Sequence, residues 1–138
     1  MTQDTQQRWT IDELLPGGPA ALEGRIARLE GIAVRIEGMR PLLAPGIAPE
    51  DFARLLAALE EFARAAGELQ GYGELWFSGD LRRQEAQAFL GRVEQAAADL
   101  GNRVLFFSLW WRALDDDSAA RLMAGAGDVR YYLAKERL

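Results

Sequence analysis

The sequence predicts an all-α protein, an elongated antiparallel helical bundle built on long helices, with two short C-terminal helices. Three observations predict it. Apolar residues recur at spacings of three and four over long stretches, as one face of a helix requires. Alternating apolar and polar runs are absent, and valine and isoleucine are scarce beside alanine and leucine. Proline, glycine and aspartate gather at a few points and cut the chain into segments.

Each element follows in order. Residues 1–18 read as an N-terminal tail and anchor, with Trp9-Thr10-Ile11-Asp12-Glu13-Leu14-Leu15 closed by Pro16-Gly17-Gly18. Residues 19–138 then form a single helical domain. Pro19 suits the first position of a helix, where its missing N–H costs nothing. That helix, expected over 19–39, carries Leu22, Ile26, Leu29, Ala33 and Ile36 on one stripe, and Pro41 and Pro45-Gly46 end it. Pro49 opens a second helix over 49–78, with Phe52, Leu55, Leu56, Leu59, Phe62, Ala63, Ala66 and Leu69 running on to Trp76 and Phe77. A third helix over 83–114 holds Phe89, Leu90, Val93, Ala97, Leu100, Val104, Phe107, Trp111 and Leu114. Asp115-Asp116-Asp117-Ser118 ends it and caps a short fourth helix through Met123; Gly125-Ala126-Gly127 is a hinge, and Asp128 caps a last helix over 129–138. The second and third helices are each roughly 45 Å long at 1.5 Å per residue. A compact chain of this length has a radius of gyration of about 14 Å, so they must lie side by side and antiparallel in an elongated body.

Composition narrows the function. The chain has 138 residues, one domain's worth, with no cysteine and no histidine. Histidine is the commonest general base and metal ligand, and cysteine the thiolate ligand of zinc. Neither a Ser/His or Cys/His pair nor His-Glu-x-x-His can be built, and no glycine-rich phosphate loop follows a strand. The chain alone is therefore expected to bind no cofactor or structural zinc and to hydrolyse no peptide. A net charge of −5 argues against nucleic acid, and no apolar run approaches the roughly 20 residues that cross a bilayer. The polar start is no signal peptide, and a cytoplasmic location is expected. Asp115-Asp116-Asp117 lacks the glycine and distant acid of a calcium loop, since Ala120 and Ala126 stand there; it reads as a capped turn. Glu60-Glu61 reads as a solvated face.

Two features point to an interface. At about 100° per residue, Val104, Phe107, Trp111 and Leu114 fall on one side of the third helix, and Leu105, Phe106, Leu109 and Trp110 fall roughly opposite. A helix apolar on two sides has to be covered twice. The second cover is either the C-terminal helices, through Leu122, Met123, Val129, Tyr132 and Leu133, or a partner docking on Phe106, Leu109 and Trp110. The isolated chain is then expected to self-associate or to show an exposed aromatic patch. The other feature is Gly24, Gly31 and Gly38, which with Ala27 and Val34 form a line opposite the first helix's apolar stripe. Each glycine costs a helix about 1 kcal/mol relative to alanine. Either a backbone approaches closely there, or the line is compositional drift in an alanine- and glycine-rich chain. Gly67, Gly71 and Gly73 on the second helix pose the same question.

Several phrases, in order along nearly the whole chain, resemble the N-terminal segment of oligoendopeptidase F-type enzymes, a branch of the thimet-oligopeptidase-like zinc metallopeptidases. These are Trp9-Thr10-Ile11-Asp12-Glu13-Leu14, Tyr72-Gly73-Glu74-Leu75-Trp76-Phe77-Ser78-Gly79-Asp80, Gln87-Ala88-Phe89-Leu90-Gly91-Arg92-Val93-Glu94, Leu105-Phe106-Phe107-Ser108-Leu109-Trp110-Trp111-Arg112-Ala113-Leu114, and Tyr131-Tyr132-Leu133-Ala134-Lys135-Glu136-Arg137. The chain departs from the family pattern after Trp9, where an aspartate is usual, and at Ser108 and Trp110, where relatives usually carry glutamate. The resemblance implies a non-catalytic helical lobe that packs on a catalytic domain and flanks its peptide channel. It places the zinc in the parent's catalytic domain and carries no catalytic or metal residue onto this chain. Its partner would be that domain or a second copy of the chain. The alternative is a free-standing helical interaction or oligomerisation module without enzymatic activity.

Overall fold

The computed structural model describes residues 19–79 and 83–137. Among them all regular structure is helical, in six α-helices: α1 (Pro19–Gly38), α2 (Pro49–Gly79), α3 (Arg83–Val104), α4 (Phe106–Ala113), α5 (Asp116–Ala124) and α6 (Arg130–Glu136). Short 3₁₀ turns at Arg40–Leu42 and Gly127–Val129 join α1 to α2 and α5 to α6. The tail and anchor expected over 1–18, and Asp80, lie outside the described residues, as do the side chains of Tyr72, Trp76 and Phe77.

The three long helices pack against one another. Leu22, Ile26, Leu29, Ala33 and Ile36, the stripe of α1, are all buried, and Ile32 joins them. From α2 come Phe52, Leu55, Ala58, Phe62 and Leu69, and from α3 Phe89, Val93, Ala96, Leu100 and Val104. Leu56, Leu59 and Ala66 of the expected α2 stripe are only partly covered, and Ala63 is exposed. Phe52 meets Phe107 with ring centroids 6.2 Å apart. A Cβ on Gly73 would stand 3.2 Å from Val93 Cγ2. Early α2 therefore faces the chain beyond α3, and late α2 faces early α3, so the two run antiparallel.

Charge pairs register the bundle from outside. Arg92 grips Glu23 with two hydrogen bonds, Nε to Oε1 at 3.0 Å and Nη2 to Oε2 at 3.1 Å. Arg103 forks onto Glu37, with Nη2 2.7 Å from Oε1, and reaches Glu30 Oε1 at 3.2 Å. Both arginines are on α3 and their acids on α1, which places those helices parallel. Arg35 pairs with Glu61 and ties α1 to α2.

The expected third helix does not run unbroken to Leu114. It is interrupted at Leu105, whose N–H bonds the Asn102 carbonyl three residues back at 3.3 Å, although its φ of −63° and ψ of −24° remain helical. One tightened turn winds the chain by about 120° per residue instead of 100°. It follows Gly101-Asn102, two poor helix formers, and rotates α4 relative to the register that α3 alone would give it.

The hydrogen bond from Arg92 holds the Glu23 carboxyl below its ordinary value, and that from Arg103 does the same for Glu37. The backbone N–H of Ser118 lowers Asp115. A carboxyl whose pKa falls on folding binds protons first in the unfolded chain, so its contribution is full above the unfolded pKa and lost as pH drops through the folded one. The Tm is expected to hold from neutral pH down to about pH 5 and to decline below it. The double variant Glu23→Gln, Glu37→Gln should decline less steeply in thermal melts across that range. Equal slopes would show that these pairs contribute nothing to acid sensitivity.

Candidate functional site

Among the described residues a cluster of rings gathers at the end of the bundle where α4, α5 and α6 meet early α2. Phe52 of α2 sits among Phe107, Trp110 and Trp111 of α4, with centroids 5.6 Å from Trp111 and 6.4 Å from Trp110. Phe107 and Trp111 are close to parallel, at 4°. Trp111 is fully buried, and its Nε1–H donates to the Leu133 carbonyl of α6 at 2.8 Å, so the indole brings no unpaired donor into the core.

Arg137 locks this arrangement. Its guanidinium lies 5.5 Å from the Trp111 ring centre. It donates to the Trp111 carbonyl, to the Leu114 carbonyl at 2.7 Å and to Asp116 Oδ1 at 2.9 Å. Carbonyls in the last turn of a helix have no partner within it, and a cation there also meets the negative end of the helix dipole. Arg112 donates back to the Glu136 carbonyl at 3.1 Å. The C-terminal helices thus cover Trp111 and Leu114, on the core side of α4.

Asp115 caps α5 as its sequence suggests, accepting from the Ser118 N–H at 2.9 Å. Arg121 of α5 reaches the Pro45 and Ile47 carbonyls at 2.7 and 3.1 Å and pins α5 to the α1–α2 connection. Asp128 does not cap the last helix. It lies inside the 3₁₀ turn Gly127–Val129, Val129 stands at the N-cap of α6 without a side-chain bond, and α6 starts at Arg130. Gly127 makes that turn possible with a φ of +61°, a conformation open to glycine without steric cost.

The six residues singled out from the sequence divide into three environments. Leu109 is 59 % exposed, and Leu105, one turn before it, is 48 % exposed. Phe106 and Trp110 are half-buried and pack against the core: Arg40 lies 5.0 Å over the Phe106 ring, and Trp110 is held by Phe52, Phe107 and Trp111. The expected exposed aromatic face is therefore an exposed leucine pair beside two half-covered rings, because Phe106 and Trp110 flank the buried stripe of α4 and meet Arg40 of the α1–α2 connection and Phe52 of α2. Gly24, Gly31 and Gly38 are exposed on α1, and a Cβ on any of them meets nothing within 4 Å. Among the described residues no backbone approaches them.

A groove that the sequence did not suggest runs beside these residues. Its volume is about 520 Å³, and it is walled by α2, α4, the second 3₁₀ turn and α6. Its apolar lining includes Leu56, Leu59, Ala63, Phe107, Val129 and Leu133, while Glu60, Asp128 and Glu136 line it with carboxylates. A smaller hollow of about 220 Å³, between α2 and α5, meets it at Leu56, Glu60 and Val129. The sequence hid the groove because its leucines fall on the α2 stripe and read as core. Only the place where α6 docks leaves them partly uncovered. Among the described residues no three acids gather as a metal-holding group, and no helix is long and apolar enough to cross a membrane. Compared with models of protein families, with curated proteins and with solved structures, the chain matches none.

Proposed function

We propose that this chain is a non-catalytic helical lobe of an oligoendopeptidase F-type zinc metallopeptidase, packing on the catalytic domain and flanking its peptide channel. The observation that carries this reading is the exposed leucine pair Leu105, at the N-cap of α4, and Leu109, on its first turn. It falls in Leu105–Leu114, the phrase that most resembles the family. Burying a leucine side chain from water yields about 1.5–3 kcal/mol, so two side by side favour a covering surface. In this reading the catalytic domain supplies that surface and holds the zinc, while this chain contributes shape and a wall to the channel, in the cytoplasm.

The coding sequence provides the test. An in-frame His-Glu-x-x-His motif downstream of codon 138 supports the peptidase lobe. A stop codon directly after it overturns the reading and leaves a free-standing interaction or oligomerisation module, whose leucine pair would be covered by a second copy.

A further inference from the structure

We propose that the groove between α2 and the C-terminal helices is a docking site for an amphipathic helix of a partner protein, one that carries lysine or arginine beside its apolar residues. The inference goes beyond the peptidase reading and does not depend on it, since neither Leu105 nor Leu109 lines the groove, whose α4 wall is Phe107 and Ser108.

Shape selects a helix. Pro49, Ala53, Leu56, Glu60 and Ala63 of α2 line the two neighbouring hollows, at spacings that follow one helix face over about 21 Å. The walls around them are helical, so their backbone groups are engaged within helices and offer no edge for an added strand. An occupant has to bind through side chains, as an amphipathic helix does when it lays its apolar face in a groove. The larger hollow, at about 520 Å³, lies in the range that holds several large apolar side chains.

Charge selects the rim of that helix. Glu60, Asp128 and Glu136 line the larger hollow, and among the described residues no basic side chain does; Arg121 lines the smaller one, where its guanidinium is engaged by the Pro45 and Ile47 carbonyls. Two of the three have arginine neighbours outside the lining, Arg64 at 3.5 Å from Glu60 and Arg112 at 3.9 Å from Glu136. Both pairs are long, and both arginines and Glu60 are mostly solvent-exposed; such pairs are held weakly. A lysine or arginine arriving over an apolar floor, where water is partly displaced, competes well for these carboxylates. Acids on the partner would be repelled by the same rim and by the net charge of −5.

The probe is a fluorescein-labelled amphipathic peptide of leucine and lysine, compared by anisotropy with the same leucine pattern carrying glutamate for lysine. The lysine peptide should bind saturably to the chain and the glutamate peptide at least about tenfold more weakly. Ala63 is exposed at the groove wall, so Ala63→Trp fills the groove without disturbing the core. It should cost the lysine peptide about tenfold or more, the equivalent of one large side chain left unburied. The double variant Glu60→Gln, Asp128→Asn should also weaken binding, while Glu94→Gln, on an exposed face of α3, should leave it unchanged. Absence of binding overturns the proposal, as does equal binding of the two peptides. Binding that ignores Ala63→Trp, or that falls as much with Glu94→Gln as with the groove variant, overturns it too and marks diffuse attraction to an acidic protein. Far-ultraviolet circular dichroism on each variant verifies that the helices remain.

Discussion

Replacing Trp111 by alanine is expected to destabilise the protein by about 3–5 kcal/mol, the range for deleting a large buried aromatic side chain. Domains of this size are held by only about 5–15 kcal/mol, so one substitution removes a large share of the whole. The indole is fully buried, lies 5.6 Å from Phe52 and 6.5 Å from Phe107 between ring centres, and carries Arg137 over its ring. It also bonds the Leu133 carbonyl. Its removal opens a cavity between α2, α4 and α6 and leaves that carbonyl without its donor. Urea unfolding followed by circular dichroism should show the loss, and thermal melts a Tm lower by roughly 10–20 °C. Trp111→Phe separates the two contributions. It keeps most of the volume and forfeits the hydrogen bond, whose loss at a buried site costs about 1–3 kcal/mol. A loss below about 1 kcal/mol for Trp111→Ala would mean that α6 does not depend on this ring for its place.

Why Trp111 and not Trp110 carries that burden is only half readable from the chain. Periodicity put Val104, Phe107, Trp111 and Leu114 on one face, and all four are buried. Periodicity depends on a constant twist, however, and the i to i−3 bond at Leu105 changes the twist in the middle of the segment. That change precedes α4 and turns all of it together. Within α4, at about 100° per residue, Trp110 stands about 60° from Phe107 and Leu109 about 160° from it, so Phe106 and Trp110 flank the buried stripe and turn partly into the core while Leu105 and Leu109 stay out. The stripe of α1 and the starts of α1 and α2 at Pro19 and Pro49 needed only local information, spacing and a proline at the first turn, and they stand where expected. Asp115 was equally local and caps α5. Asp128 failed because a residue's capping role depends on the turn that follows, and Gly127 directs the chain into a 3₁₀ turn there. The roles of Arg137 and Arg121 could not be read at all. Each gathers carbonyls from a distant part of the chain, and nothing in the spacing of an arginine announces which backbone it will meet. The groove has the same origin, since it depends on where α6 lies against α2 rather than on any pattern within either helix.

Glycine shows the same limit and yields a prediction with opposite signs at two sites. The line Gly24, Gly31 and Gly38 invites the idea of a close approach, yet among the described residues the close approach is at Gly73. A Cβ there would sit 3.2 Å from Val93 Cγ2 and 3.3 Å from both Val93 Cβ and Leu90 Cδ1, with Val93 itself fully buried. Val93 Cβ is fixed to its backbone, so a larger side chain can be accommodated only by moving α2 away from α3. Gly73→Leu is expected to cost about 1–3 kcal/mol by overpacking, more than the helix propensity it gains. At Gly31 the added atom meets nothing and the residue lies inside α1, so Gly31→Ala should stabilise by about 0.5–1 kcal/mol through the lost freedom of the unfolded chain. Gly24→Ala should add a similar amount, because the two positions are about 10 Å apart along the helix and share no neighbour. Denaturation midpoints of the three variants, measured at several protein concentrations, decide the matter. A stabilised Gly31→Ala with a destabilised Gly73→Leu places the required glycine at the α2–α3 contact. A Gly31→Ala that loses stability, increasingly at high concentration, would mean that the backbone of a second chain lies against α1 in solution, in the space that the described residues leave open.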